Sequence, residues 1–166
     1  MQTLRTLASY GRWANRVVFG LCRDLDPAIL AEPAPGTIGT IQQTLEHLVC
    51  TEDDCFQMLE GRAPLQSVDE MLANVAVYRG RDLGWLAERA DLAGAGFERA
   101  LADADVAFLD GELRPPAISR RAGLLHALTH SMHHRAQVLS TLGARGVKVP
   151  DIDYGFFLFR PDQPAP

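Results

Sequence analysis

The sequence predicts an all-α protein built as a four-helix bundle. Four long stretches carry apolar residues at helical spacing, and segments rich in Pro and Gly separate them. One long connection falls between the third stretch and the last, the kind of crossover that a bundle accommodates. The 166 residues suffice for one domain with its own core, so residues 1–166 are expected to form a single unit.

The first helix is expected from Thr3 to Leu25, with Thr3 as its N-cap. Leu4, Leu7, Ala8, Trp13, Ala14, Val17, Val18, Leu21 and Cys22 give its apolar stripe, and Asp26-Pro27 ends it. Residues 32–36 read as loop. The second helix starts near Thr37 or Thr40 and ends at Glu60, with Gly61 closing it. Its stripe is Ile41, Leu45, Leu48, Val49, Cys55, Phe56 and Leu59.

Ser67-Val68-Asp69-Glu70 fits a capping box and opens the third helix, which runs to about Leu92. Gly80 and Gly84 each cost about 1 kcal/mol relative to Ala and weaken its continuity. Ala93-Gly94-Ala95-Gly96 reads as a turn or a frayed end, with a short continuation from Phe97 to Ala104. Val106–Leu109 and Glu112–Arg114, joined by Asp110-Gly111, have the pattern of a short β-hairpin before the last helix. Pro115-Pro116 stops it. The fourth helix begins near Ile118 or Ser119 and ends at Gly143 or Gly146. The aromatic tail, with Phe156, Phe157 and Phe159, is expected to pack back on the bundle or on a partner chain.

Composition narrows the function. The net charge is −5 and no basic patch dominates, which removes electrostatic support for nucleic-acid binding. The N-terminus lacks a basic region followed by an apolar run, and no apolar stretch nears the roughly 18–20 residues of a membrane span. A soluble cytoplasmic protein is expected, with neither a membrane nor a nucleic acid as partner. Cys22, Cys50 and Cys55 form no disulfide framework and read as free thiols.

Four of the five histidines fall in nine residues of the fourth helix: His126, His130, His133 and His134. A lone histidine on an apolar face is more often a hydrogen-bonded core residue than a ligand, but this clustering puts a metal site on an equal footing with that reading. His130 and His134 share a face one turn apart, so both can reach one ion. His126 with His130, or His130 with His133, makes an equally good pair, and spacing does not choose among them. His47 on the second helix supplies a third nitrogen if the two helices pack side by side. Ser131 follows His130 where a zincin protease has Glu, which disfavours that chemistry. Asp54, on nearly the same face as His47, is a candidate to orient an imidazole, and Cys50 a candidate soft ligand.

Several segments together resemble a known family. Tyr10-Gly11-Arg12-Trp13-Ala14-Asn15, the run from Ile38 to Leu48, and the run from His126 to Gln137 match the DinB/YfiT-like metal-binding four-helix bundles in the right order. Asp151-Ile152-Asp153-Tyr154 is similar to that family's closing segment. The resemblance implies an up-down-down-up bundle whose metal ligands are His47, His130 and His134, with His126 and His133 as neighbours. It implies a structural role for Arg135, paired with a carboxylate or a helix end. It also implies a divalent ion such as zinc or nickel as cofactor, a low-molecular-weight thiol as cosubstrate, a small-molecule substrate and a homodimer. The activity expected is thiol transfer to an electrophilic small molecule, or a related thiol-dependent isomerisation or hydrolysis. The alternative is a metal-binding stress-response module without turnover. No catalytic or cofactor-binding side chain is assigned.

Overall fold

In the computed structural model, which describes residues 2–33, 38–114 and 118–159, four long helices carry the architecture. They are α1 (Gln2–Arg23), α3 (Ile41–Leu59), α5 (Leu83–Ala102) and α7 (Arg120–Ala144). Shorter helices connect them: α2 (Pro27–Leu30), α4 (Val68–Tyr78), α6 (Val106–Asp110) and α8 (Tyr154–Leu158). Two short strands, β1 (Glu112–Arg114) and β2 (Ile118–Ser119), pair antiparallel just before α7.

Cross-helix contacts fix the directions. Arg12 on α1 pairs with Asp91 and Glu98 on α5, and Arg5 donates to the carbonyl of Leu101, so α1 and α5 run antiparallel. Asp53 on α3 meets Arg89 on α5, and Phe56 meets Gly96 further along, so α3 and α5 run parallel. His47 faces His130 while Cys55 faces Gly123, so α3 and α7 run antiparallel. The order is therefore up-down-down-up, as expected.

Beside a small cluster of Tyr10, Ala14 and Phe157, the core has two large apolar clusters. One gathers Val18, Phe19, Leu45, Leu48, Leu86, Val138 and Leu142; the other gathers Leu4, Phe97, Leu101, Leu109 and Leu124. On α1, α3 and α7 the buried polar residues Asn15, Glu52 and Arg135 fall in sequence between the members of the two clusters, as a polar layer.

Several boundaries differ from the sequence expectation. Helix α1 starts at Gln2, so Thr3 lies inside it rather than capping it, and it stops at Arg23. Asp26 instead caps the short α2, whose first residue is Pro27. Thr40 caps α3 in a full capping box with Gln43. At Ser67 only half of the box forms: Ser67 accepts from the Glu70 amide, but the Glu70 carboxylate takes the Gln66 amide.

The expected third helix is two helices. Gly80 adopts φ +67 between them, and Asp82 caps α5 afresh. The Ala93–Gly96 stretch is not a turn but the buried middle of α5. A Cβ on Gly94 would come within 2.8 Å of Arg12, and one on Gly96 within 2.2 Å of the Phe56 ring. Close packing against α1 and α3 thus outweighs the poor helix propensity of glycine.

The hairpin is displaced by one segment. Asp105 caps residues 106–110 as a helical turn, and the Gly111 amide closes it on Ala107 and Phe108. Glu112–Arg114 then becomes the first strand instead of the second. Residues 34–36 of the expected loop, the Thr37 start and Pro115-Pro116 lie outside the described residues. The tail packs back through Phe157, buried against Tyr10 and Trp13, and the Tyr10 hydroxyl donates to the Ile152 carbonyl at 2.9 Å, whereas Phe156 and Phe159, expected to pack with it, are exposed. Among the described residues no helix is long and apolar enough to cross a membrane.

Candidate metal centre

Antiparallel packing of α3 on α7 brings His47 to His130 and His134. One ring nitrogen from each of the three lies within 4.8 Å of the others. Nε2 of His130 stands 2.9 Å from Nε2 of His47 and 3.1 Å from Nε2 of His134. The trio is positioned to bind a metal ion.

Protons alone do not account for this convergence. Nδ1 of His134 lies 2.7 Å from Oε1 of Gln137. An amide oxygen only accepts, so Nδ1 carries the proton and Nε2 presents a lone pair. A proton on Nε2 of His130 serves one neighbouring nitrogen and leaves the other contact unsatisfied. A cation at the shared focus satisfies all three lone pairs, and three imidazoles are the protein ligand set of one class of catalytic zinc site. The donor set therefore fits a divalent ion.

Electrostatics points the same way. Burial and the neighbouring imidazoles push His130 down to about 3, and burial lowers His47 and His134 as well. All three are neutral at physiological pH, the form that coordinates metal.

The other candidates separate clearly. His126 and His133 are exposed and stay outside the trio, although each ring packs edge-on against a member of it. Asp54 does not orient an imidazole; it is ion-paired with Arg62. Cys50 is buried, accepts a weak bond from Asn74 at 3.6 Å, and stays outside the nitrogen cluster. Burial pushes all three thiols up to about 12, so they are protonated and unreactive.

Arg135, beside His134, is fully buried. Its Nη1 donates to Oδ1 of Asn15 at 2.7 Å, lies 3.9 Å from Glu52, and the guanidinium sits over the Tyr10 ring. This is the structural, carboxylate-paired role expected for it. Asn15 in turn donates to Glu52 at 2.7 Å. Burial pushes the Glu52 carboxyl up, with Arg135, Ser131 and Asn15 pulling it back. Glu52 was not singled out from the sequence. The available signal was its place on the apolar side of α3, four residues before Phe56.

A cavity of about 430 Å³ opens at His47, between α3, α4 and the start of α7. Its wall is mainly apolar, with Met58, Leu65, Met71 and Val75, and includes His126 at one side. The sequence model of the DinB family matches residues 1–163 of this chain. No curated protein and no solved structure matches it.

Proposed function

The chain belongs to the DinB family, and on that premise we propose that it is a divalent-metal-dependent enzyme that joins a low-molecular-weight thiol to an electrophilic small molecule. His47, His130 and His134 are the proposed ligands. The observation that carries this reading is the meeting of three neutral imidazole nitrogens at the edge of a substrate-sized cavity.

A zinc- or nickel-type ion held by His47, His130 and His134 would keep its full charge, because the imidazoles are neutral, and would supply Lewis-acid chemistry that favours the thiolate form of a thiol. The protein's own residues do the rest. Gln137 fixes the tautomer of His134. The α3 backbone holds His47 in place, with the Thr51 hydroxyl donating to its carbonyl at 3.1 Å. The apolar part of the wall, with Met58, Leu65, Met71 and Val75, suits an apolar electrophile. Cys50 and Cys55 line the same cavity, but as buried, protonated thiols they do not consume it.

The test begins with metal analysis of the purified protein and of His130→Ala. One ion per chain is expected in the former and much less in the latter. The metal-loaded protein is then incubated with glutathione, bacillithiol or mycothiol and a chlorinated aromatic acceptor. A conjugate that forms only with the intact trio supports the enzyme. Metal binding with no conjugate from any thiol favours the non-catalytic module.

A further inference from the structure

His47 is a wall shared by two cavities of opposite character. On one side is the 430 Å³ cavity already described. It follows α3 from His47 through Cys50, Thr51, Asp54 and Cys55 to Met58, a distance of roughly 16 Å at helical rise. Spread evenly over that length, the volume corresponds to a cleft about 6 Å across, narrow enough to favour one alkyl chain or one flat ring. The acidic side chain in its wall, Asp54, is neutralised by Arg62. An ionic ligand therefore finds no free counter-charge along the channel.

On the other side lies a lobe of about 290 Å³ lined by Ile38, Gln43, Glu46, His47, Val75 and Arg79. Here both signs of charge are present. Arg79 is exposed and makes no hydrogen bond or ion pair among the described residues. Glu46 lends Oε1 to Gln42 and to the Gly80 amide, which anchors the carboxylate at the lobe. His47 and Val75 line both cavities and mark where the two meet.

We propose that the site is divided at His47: a zwitterionic, cysteinyl-type thiol occupies the Glu46/Arg79 lobe, and an elongated, uncharged, apolar electrophile occupies the channel along α3. This rests on the functional reading above and adds the chemical class of each substrate. The thiol's carboxylate pairs with Arg79 and its ammonium with Glu46. The thiol gives its proton to solvent, and its sulfur, held beside His47 where the two cavities meet, forms the S–C bond as the electrophile's leaving group departs with the bonding electrons.

The lobe is tested on cobalt-loaded protein by titration with L-cysteine and with 2-mercaptoethanol, read from the thiolate absorption band. The two share a thiol and differ in charge. Arg79→Glu is expected to weaken L-cysteine at least fivefold and leave 2-mercaptoethanol unchanged. The channel is tested with the uncharged fluorophore N-phenyl-1-naphthylamine, displaced by 1-decanol or decanoate. Decanol should compete at least tenfold better, and Ala122→Trp or Val75→Trp should abolish fluorophore binding, with circular dichroism verifying each fold. Equal loss of both thiols in Arg79→Glu, equal displacement by decanol and decanoate, or a channel indifferent to both tryptophans overturns the division. Cobalt content is measured on every sample. Failure to load sinks the metal reading itself, whereas normal loading without the expected selectivity sinks only the division.

Discussion

Gln137 Oε1 lies 2.7 Å from Nδ1 of His134, one helical turn along the same face of α7. This contact decides which nitrogen of His134 is available to a metal. Gln137→Ala removes it without touching the ligand set. Metal affinity should fall about 10- to 100-fold, the usual cost of losing a partner that orients a histidine ligand. Competition against a chromophoric chelator measures it. Unchanged affinity would show that the tautomer is set elsewhere.

Acidification should destabilise the metal-free protein. Burial and the neighbouring imidazoles lower His130 from its ordinary 6.5 to about 3 in the folded state. Between those values the unfolded chain binds more protons than the folded one, so stability rises with pH. It is fully present above about 6.5 and is lost as pH falls toward 3. Thermal melts of chelator-treated protein should shift down from pH 7 to pH 5, and His130→Ala should flatten that slope. An unchanged slope in the variant assigns the effect to other groups.

Arg135 and Glu52 form a buried charged pair at 3.9 Å. Arg135→Ala strands the Glu52 carboxylate and should cost about 3–5 kcal/mol, whereas Arg135→Met combined with Glu52→Leu should recover much of that loss. Urea unfolding of the single and double variants checks this. A double variant no better than the single one would show that Asn15 and Ser131, not the ion pair, carry the layer.

Glycine substitutions should split by environment. Gly96→Ala drives a methyl into the Phe56 ring and should destabilise by about 1–3 kcal/mol. Gly20→Ala, inside α1 with nothing within 4 Å of a new Cβ, should stabilise by up to about 1 kcal/mol. Chemical denaturation of both variants gives the signs directly.

These contrasts show which features a linear reading recovers. Apolar periodicity placed α1, α3 and α7 and the first half of α5, because a buried stripe repeats wherever a helix packs, but it fused α4 to α5 across Gly80. The same reading took Ala93–Gly96 for a turn, because the contacts that favour helix there come from Arg12 and Phe56, far away in sequence. It placed a strand at Val106–Leu109, where the Asp105 cap wins locally. In the candidate centre, spacing on α7 left three histidine pairings equal. Only the family resemblance, and then the approach of α3, separated His130 and His134 from His126 and His133. Gln137 was legible as part of the motif. Its hydrogen bond was not, because that depends on a rotamer. Glu52 was hidden by its type, since a carboxylate on a helix is ordinarily solvated.

The layer of Asn15, Glu52 and Arg135 has a consequence for how an ion is captured. Slipping α7 by one turn, roughly 5.4 Å, would strand a buried cation among leucines. Alignment of the helices is thus guarded by residues that are not themselves ligands, and His134 inherits its location from the neighbour beside it. Chelation should therefore empty the centre while leaving the bundle assembled, so that ion uptake needs no folding step and proceeds at the speed of ligand exchange.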